Sequence, residues 1–278
     1  MTQFYMDEII KRAILEDINY IDVSADYLFE PVCRGKAKLL AKDDGVLCGL
    51  AVFLRVFELL DSSFSAECFK KDGDPLRKGD IIAVLSGATG ILLKGERTAL
   101  NLIQHLSGIA TQTAAAVQIV KGTKAQITDT RKTMPGLRAL QKYAVTCGGG
   151  KNHRFNLSDG AMLKDNHIDA AGGITNAVKT LRAKLGHMTK IEAETRNLDE
   201  VGEALAAGVE IIMLDNMDSQ TMAEAVELVN GKALLEASGG ITLENLRAAA
   251  ETGVDIISLG ALTHSVKAFD ISMKFVKE

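Results

Sequence analysis

With 278 residues the chain is longer than a usual single domain, so we expect one domain and a smaller second one. Its 47% apolar and 24% charged residues are typical of folded globular proteins and exclude a disordered chain. A formal net charge of −4 argues against a general nucleic-acid binder.

Segments that would direct the protein to a membrane or out of the cell are not recognisable in the sequence. The longest apolar stretch, residues 47–60, is shorter than the roughly 20 residues of a spanning helix and is broken by Arg55. The N-terminus mixes acidic residues into an amphipathic helix and lacks the pattern of a signal peptide. Four cysteines without paired spacing predict neither a zinc site nor a disulfide framework. We therefore expect a cytoplasmic protein.

The first third of the chain predicts helices and strands without regular alternation, which is typical of a small α+β domain. The predicted elements are a helix at 6–17, strands at 36–41 and 45–50, a helix at 51–60, and strands at 63–70 and 80–87. A long helix from about Gly90 to Val120, interrupted at Gly108, follows them. The change of pattern places one domain over residues 1–108 and a second over 109–264, with a tail at about 265–278 that packs on the first.

From about residue 120 onward, short apolar strands alternate with segments of helical periodicity, which is the pattern of parallel βα units. Six strands are predicted, at 125–130, 161–165, 190–195, 210–215, 233–238 and 255–260. Functional groups of such folds gather at the carboxyl ends of the strands, around one mouth in a closed barrel and along one edge in an open sheet. The polar or small residues at these ends are Asp129, Thr130, Arg131, Lys164, Glu194, Asp215, Ser238, Gly239, Gly240 and Gly260.

Basic residues concentrate between Asp129 and His167, where seven Lys or Arg stand against three Asp. Arginine forks bind carboxylate and phosphate through paired hydrogen bonds, so this cluster predicts an anionic small-molecule ligand. The glycines at 148–150 predict a flexible loop that presents the basic segment 151–154 to the strand ends. The alternative is an ordinary solvated basic face.

Two carboxylates, those of Glu194 and Asp215, end successive predicted strands. Because Mg²⁺ prefers oxygen ligands, this pair predicts a magnesium site. The alternative is that either carboxylate only caps the helix that follows it.

Small residues follow the last two strands, as SGG at 238–240 and LGA at 259–261. Backbone amides and a helix N-terminus, which we expect near Thr242, can approach a phosphate only where side chains are absent. The two turns together predict a phosphate site, whereas each alone is equally a simple turn. Lys164 allows a competing hypothesis, a Schiff base with a carbonyl substrate, but no carbonyl-handling acid accompanies it in its segment.

Several motifs resemble those of the carboxylating nicotinate-nucleotide pyrophosphorylases, also called quinolinate phosphoribosyltransferases. The similar blocks are ERTALNLIQHLSGIAT (96–111), DTRKTMPGLRALQKYAVTCGGGKNHR (129–154), LKDNH (163–167), IMLDNM, EASGGI and SLGALTHS. The long middle block is highly specific, and the SGG and LGA turns are much less so. The resemblance implies a small N-terminal α/β sandwich domain followed by an incomplete, six-stranded parallel α/β barrel.

The resemblance also implies a homodimer with shared active sites, in which Arg97 of each subunit serves the site of the other. The residues implied to bind quinolinate are Arg97, Thr130, Arg131, His153, Arg154 and Lys164. Those implied as catalytic, on the ribose and pyrophosphate side, are Lys132, Glu194 and Asp215, the last two also as magnesium ligands. Those implied to bind phosphate are Ser238, Gly239, Gly240 and Gly260.

The implied reaction transfers a phosphoribosyl group from phosphoribosyl pyrophosphate to quinolinate with loss of CO₂, which gives nicotinate mononucleotide and pyrophosphate on the route to NAD. Mg²⁺ is the cofactor implied, and neither nucleic acid nor a membrane is expected as a partner. Three other interpretations stay open at this point. They are a nicotinate or other aromatic-acid phosphoribosyltransferase, a catalytically silent binding homologue, and a sister group associated with molybdenum transport.

Overall fold

A computed structural model describes residues 2–276, so residues 1, 277 and 278, at the ends of the predicted first domain and tail, lie outside the described residues. Its strands are β1 (Arg34–Ala41), β2 (Gly45–Val46), β3 (Ser65–Cys68), β4 (Pro75–Leu76), β5 (Ile81–Ala88), β6 (Gln126–Thr128), β7 (Ala161–Leu163), β8 (Ile191–Thr195), β9 (Ile211–Asp215), β10 (Leu234–Ser238), β11 (Ile256–Ser258) and β12 (Ile271–Phe275). Its helices are α1 (Gln3–Asp17), α2 (Ala25–Leu28), α3 (Leu50–Leu60), α4 (Thr89–Val120), α5 (Arg138–Cys147), α6 (Asp165–Ala171), α7 (Ile174–Arg182), α8 (Leu198–Ala206), α9 (Ser219–Val229), α10 (Leu246–Glu251) and α11 (Ala261–His264).

The chain divides into two compact units that alternate along the sequence. The first holds the residues up to 114, the segment 133–149 and the tail from 265, and the second holds 115–132 and 150–264. The division expected from the sequence placed one boundary near residue 108 and a tail from about 265 on the first domain. In the structure α4 continues past the end of the first segment, and α5 belongs to the first unit although it precedes five strands of the second.

The first unit is built on an antiparallel sheet with the strand order β12-β1-β5-β3. Alternate residues of β1, namely Ala37, Leu39 and Ala41, are fully buried, as expected for a strand with one face on a core. The last strand, β12, extends this sheet by pairing with β1. The end of the chain therefore belongs to the first unit.

The strand predicted at 45–50 is wrong beyond Val46. Gly49 adopts a φ of 95°, which residues with a side chain rarely accept, and Leu50 begins α3. α3 then buries Phe53 and Phe57 at helical spacing. The apolar run at 47–60 therefore divides into a turn and a helix.

The interruption predicted at Gly108 is also wrong, because α4 is continuous over its 32 residues. A Cβ at position 108 would overlap the carbonyl oxygen of Lys267 and lie 3.1 Å from the carbonyl carbon. Glycine is required here by a close backbone approach within the first unit, not by a break in the helix. Despite the length of α4, no helix among residues 2–276 has the length and apolar character needed to cross a membrane.

The second unit contains a parallel sheet in the order β6-β11-β10-β9-β8-β7. These are the six strands predicted from the apolar runs, each somewhat shorter than predicted. The first two strands of the unit along the chain lie at opposite edges, so the order is that of a barrel left open between β6 and β7. The predicted fold class, a small N-terminal sheet domain with an incomplete six-stranded α/β barrel, is confirmed.

The helix predicted near Thr242 begins only at Leu246. Before it, the side chain of Asn245 accepts the Thr242 N–H at 2.8 Å and donates to the Gly240 carbonyl at 3.0 Å, which holds residues 243–245 in a turn. A phosphate near Gly240 would therefore depend on the backbone of the turn and not on a helix N-terminus.

Both faces of the parallel strands are buried, but they differ in chemistry. On β8, Ile191 and Ala193 are fully buried on one face, whereas Glu192 and Glu194 alternate with them on the other. Glu192 is 4% exposed, and Glu236 on β10 is 1% exposed. Since buried carboxylates are rare unless they are paired, a functional site is expected on the glutamate-bearing face.

Candidate active site

The strand register brings predicted site residues together at the carboxyl ends of the parallel strands. Asp215 at the end of β9 pairs with Ser238 at the end of β10, and Ser258 at the end of β11 pairs with Thr128 at the end of β6. Residues that follow these positions emerge on the side where parallel strands end. Twelve predicted site residues belong to this unit: Thr130, Arg131, Lys132, His153, Arg154, Lys164, Glu194, Asp215, Ser238, Gly239, Gly240 and Gly260.

Glu194 and Asp215 are half-buried and near enough for their charges to interact. Burial raises the pKa of Glu194, the negative charge of Asp215 raises it further, and the charge of Lys164 opposes both effects. A bound cation would relieve the repulsion between the two carboxylates. Their oxygen donors fit Mg²⁺, so the residues present suit the predicted metal.

Arg131 and Arg154 form a cationic pair in the same unit. The Nε of Arg131 is buried and finds no hydrogen-bond partner within residues 2–276. Burial lowers the pKa of Arg154, the like charge of Arg131 lowers it further, and Glu192 and Asp159 oppose the shift. The Arg154 guanidinium donates to the Gly160 carbonyl at 2.9 Å, so the unpaired donor of the pair is the Arg131 Nε. An anionic ligand would satisfy that donor and neutralise the two like charges.

The basic segment 151–154 is anchored to the end of β6 and is not the flexible loop predicted from its glycines. Lys151 forms a parallel bridge with Thr128 and donates its N–H to the Ile127 carbonyl at 2.8 Å. Asp129, which is fully buried, accepts the backbone N–H of His153 at 2.9 Å. Asp129 thus fixes the segment that carries His153 and Arg154.

His153 directs its imidazole at two glutamates on the inner strand face. Its Nε2 lies 3.2 Å from a carboxylate oxygen of Glu192 and 3.4 Å from one of Glu236. Burial opposes protonation of the ring, but the hydrogen bonds and charges of the two glutamates outweigh it and raise the pKa of His153 to about 10. Sequence reasoning missed both glutamates. The period of two in strands could have revealed them, because each lies two residues before a predicted site residue.

Two turns of small residues leave backbone accessible near the strand ends. Gly239 and Gly240 have φ values of 81° and 60°. Ser238, just before them, is hydrogen-bonded through its Oγ to the Ser258 hydroxyl at 3.0 Å. In the second turn a Cβ at Gly260 would lie 2.9 Å from the Cδ of Lys132. Glycine at these positions therefore permits backbone geometry and side-chain contacts that other residues would prevent.

Asn216 connects the acidic pair with the first glycine turn, and sequence reasoning missed it. Its backbone N–H donates to the Ser238 carbonyl at 2.9 Å, and its Nδ2 donates to an Asp215 oxygen at 2.8 Å. It adopts a φ of 55°, which asparagine tolerates better than most residues with a side chain. The signal that could have revealed it is an asparagine directly after a strand-end acid.

The remaining predicted residues of the second unit are placed as follows. Thr130 Oγ1 accepts the Lys132 N–H at 3.0 Å. Lys164 is exposed at the start of α6, where its backbone N–H donates to the His167 ring at 3.1 Å. Because the Lys164 amine interacts with Glu194, its surroundings differ from the apolar or cationic pocket that activates a Schiff-base lysine.

Arg97 belongs to the first unit, where it is exposed on α4 and lines a cavity of about 770 Å³. Arg138 and Lys142, which the sequence groups with the basic cluster, also belong to the first unit. Lys142 is fully buried on α5. The basic cluster, which is continuous in the sequence, is thus divided between the two units of the structure.

Two family models together match nearly the whole chain. The model described as quinolinate phosphoribosyl transferase, C-terminal domain, matches residues 109–274, and the N-terminal domain of the same name matches residues 22–107. The chain belongs to the quinolinate phosphoribosyl transferase family. The resemblance seen in its motifs is therefore confirmed.

Relatives of this quinolinate phosphoribosyl transferase family member match it over nearly their full length. A probable carboxylating nicotinate-nucleotide pyrophosphorylase of Bacillus subtilis is 48% identical over 274 residues, which cover 98% of this chain and 94% of the relative. The carboxylating nicotinate-nucleotide pyrophosphorylase of Mycobacterium leprae is 41% identical and is covered to 95%, as is this chain. Among solved structures, NadC from Streptococcus pyogenes has a TM-score of 0.96 at 43% identity, with 100% of this chain and 99% of that chain covered.

Proposed function

We propose that this protein transfers a phosphoribosyl group from phosphoribosyl pyrophosphate to quinolinate with loss of CO₂. The products are nicotinate mononucleotide, pyrophosphate and CO₂, so the reaction supplies a precursor of NAD. The observation that carries the proposal is one parallel sheet whose unit holds an arginine pair, a carboxylate pair and a glycine turn. The relatives that match this chain over nearly their whole length are named carboxylating nicotinate-nucleotide pyrophosphorylases, which supports the proposal.

The arginine pair is the proposed site for the two carboxylates of quinolinate. Arg131 and Arg154 bind them through paired N–H donors, and the unpaired Nε of Arg131 supports this role. The residues that complete this side are Thr130, His153 and Lys164. Two guanidinium groups match a dicarboxylate better than the single carboxylate of nicotinate, which favours quinolinate as substrate.

The opposite side of the proposed site takes phosphoribosyl pyrophosphate. Its phosphate lies against the backbone of Ser238, Gly239, Gly240 and Gly260, where no side chain intervenes. Glu194 and Asp215 hold Mg²⁺, which when bound would neutralise charge on the departing pyrophosphate. The same two carboxylates stabilise the positive charge that grows on the ribose in an oxocarbenium-like transition state.

In the first step the pyridine nitrogen forms a bond to the ribose carbon as the bond from that carbon to pyrophosphate breaks. Holding both substrates in line supplies much of the rate enhancement. The ring nitrogen is then cationic, so the bond to the adjacent carboxylate can break. CO₂ leaves, the electron pair stays on the ring carbon, and a proton from Lys132 or a water molecule adds there. No organic cofactor takes part.

We also propose a homodimer in which Arg97 of the partner subunit binds quinolinate. Its exposure on α4, in the unit that does not carry the other site residues, supports this role. Large apolar side chains of the first unit are exposed, Phe4 at 80% and Tyr20 at 91%, which fits a face that a second copy covers.

Free cysteines, two of them exposed, are consistent with residence in the reducing cytoplasm.

The test is to incubate the purified protein with quinolinate, phosphoribosyl pyrophosphate and Mg²⁺, and to quantify nicotinate mononucleotide and CO₂. We expect equal amounts of both products and none with nicotinate in place of quinolinate. Product from nicotinate without CO₂ would instead identify an aromatic-acid phosphoribosyltransferase. Substrate binding without pyrophosphate release would identify a silent homologue.

A further inference from the structure

A pair of buried glutamates lies beneath His153, one layer deeper in the sheet than the residues assigned above. Glu192 and Glu236 come from β8 and β10, which are separated by β9, yet both reach the same imidazole nitrogen. Their side chains are 5% and 1% exposed, and that of His153 is 13% exposed. Two carboxylates this deeply buried would be costly without a cationic or N–H partner, and the ring provides it.

The ring of His153 is held at both nitrogens. The backbone nitrogen of Arg154 lies 2.8 Å from its Nδ1, and its Nε2 lies between the two carboxylates. The backbone N–H of His153 itself donates to Asp129. Three carboxylates from β8, β10 and the end of β6 thus fix both the backbone and the ring orientation of His153.

A cavity of about 340 Å³ adjoins the cluster. Glu192 and Glu236 each have one oxygen, Oε1, that is buried without a hydrogen-bond partner within residues 2–276, as has the Thr128 hydroxyl. The other titratable side chains that line the cavity are Arg154, Asp159 and Lys190. Water molecules in the cavity would satisfy these buried oxygens, while the other oxygen of each glutamate holds the ring.

We propose that Glu192 and Glu236 are positioning residues for the dicarboxylic substrate, acting through His153. They hold the ring and the segment that carries Arg154 in the geometry that binds a second carboxylate, and they contribute nothing to the phosphoribosyl side. This inference rests on the function proposed above. The strands β8 and β10 then each carry two residues with different roles. Glu192 and Glu236 serve the aromatic acid, whereas Glu194 and Ser238 serve phosphoribosyl pyrophosphate.

The first test compares Glu236→Gln, which keeps the shape of the side chain but removes its charge, with Glu210→Gln as the matched control. Glu210 lies in the same unit and is paired with Arg182 instead of a site residue. We expect the Glu236 variant to raise the KM for quinolinate by about 10- to 100-fold, the effect of a lost charged hydrogen bond. Its KM for phosphoribosyl pyrophosphate, and both KM values of the control, should change less than about twofold.

The second test is a double-variant cycle. His153→Gln leaves both glutamates buried without their partner, so it should lower both thermal stability and quinolinate affinity. Adding Glu236→Gln to it removes one unpaired charge, so the double variant should bind quinolinate better than the product of the two single effects predicts. Strict additivity would count against the coupling of these residues.

Histidine-selective ¹⁵N NMR of the whole protein reads the cluster without any turnover. We expect the His153 Nε2 proton to be observable in the wild type, with assignment from His153→Gln, and to be lost by exchange in Glu236→Gln. If the wild type makes no product from quinolinate but this signal behaves as expected, the proposed function fails while the hydrogen-bonded cluster stands. An equal rise of both KM values in Glu236→Gln would overturn the proposal, because the glutamates would then serve the whole fold. One Zn²⁺ bound per chain in the wild type and lost in that variant would also overturn it, because the glutamates would then hold a metal.

Discussion

The side chain of Asn216 occupies the space that a side chain at position 239 would need. Its Cγ lies 2.6 Å from the position of a Cβ built on Gly239, and its Nδ2 donates to Asp215 at 2.8 Å. The proposed metal ligand and the proposed phosphate turn are therefore joined through one asparagine. A substitution at Asp215 should therefore affect the turn at Gly239, and a substitution at Gly239 should affect Asp215.

Gly239→Ala should disturb this junction. The new methyl group would collide with Asn216, and φ at position 239 is 81°, which alanine rarely adopts. We expect the KM for phosphoribosyl pyrophosphate to rise by about tenfold or more. The free energy of unfolding should fall by about 1–2 kcal/mol. The measurements are initial rates with each substrate varied, and urea unfolding.

Gly208→Ala is the control for the backbone effect alone. Gly208 has a similar φ of 74°, but a Cβ there would meet nothing within 4 Å. This variant should lose a similar amount of stability and keep the wild-type KM. Equal KM values in the two variants would mean that the turn at Gly239 does not contact the substrate.

Glu194→Gln and Asp215→Asn test the proposed magnesium pair. Each removes a carboxylate from the half-buried pair, so we expect kcat/KM to fall by about 100-fold and the Mg²⁺ concentration for half-maximal activity to rise. Rates measured across a magnesium titration provide the check. Asp218→Asn is the matched control, since Asp218 only caps α9 by accepting the Thr221 N–H at 2.8 Å, and asparagine caps equally well. Unaltered magnesium dependence in both site variants would exclude them as ligands.

Arg97→Ala and Arg131→Ala test the shared site. Each variant alone should be nearly inactive. If Arg97 serves the site of the partner, a mixture after subunit exchange contains mixed dimers with one intact site, and activity should recover to roughly a quarter of the wild-type value. Sedimentation velocity establishes the dimer and confirms the exchange. A mixture that exchanges subunits yet stays inactive would place Arg97 and Arg131 in the same site of one chain.

Gly108→Ala should destabilise the first unit, although alanine is the better helix former. The methyl group would overlap the Lys267 carbonyl, so we expect a loss of about 2–4 kcal/mol in the free energy of unfolding. Gly202 offers the contrast, because it lies within α8 and a Cβ there meets nothing within 4 Å. Gly202→Ala should therefore stabilise the protein by about 0.5–1 kcal/mol. Thermal and urea unfolding of both variants distinguish close packing from helix propensity.

Glu210 should contribute stability that depends on pH. Burial raises the pKa of its carboxyl, but hydrogen bonds from Ile191 and Arg182 outweigh this and hold the pKa below its usual value of 4.5. A carboxyl with a depressed folded pKa stabilises the protein above the unfolded pKa, and this contribution is lost as the pH falls through the folded pKa.

Glu210→Gln should accordingly lower the free energy of unfolding by about 1 kcal/mol at neutral pH, a modest value because both members of the ion pair are more than a third exposed. The difference from the wild type should shrink below about pH 4. Urea unfolding at several pH values measures it. A difference that is constant with pH would point to packing and not to the charge.

The order of strands and helices in the second unit could be predicted because its signals are local. A parallel strand buries both faces, so a run such as that of β9 is recognisable from its apolar residues. One error, the interruption expected at Gly108, arose because the glycine has a distant cause. Gly108 lies in a continuous helix because the backbone near Lys267 approaches it, and no neighbour in the sequence reveals that.

In the second unit the sequence by itself determined which strands form and which polar residues end them, Glu194 and Asp215 among them, because hydrophobic periodicity and its termination depend on neighbouring residues only. Tertiary structure alone decided that His153 meets Glu192 and Glu236 and that Asp129 holds its backbone. Those contacts depend on the register between strands and on the path of the segment after β6, which bring together residues that are far apart along the chain.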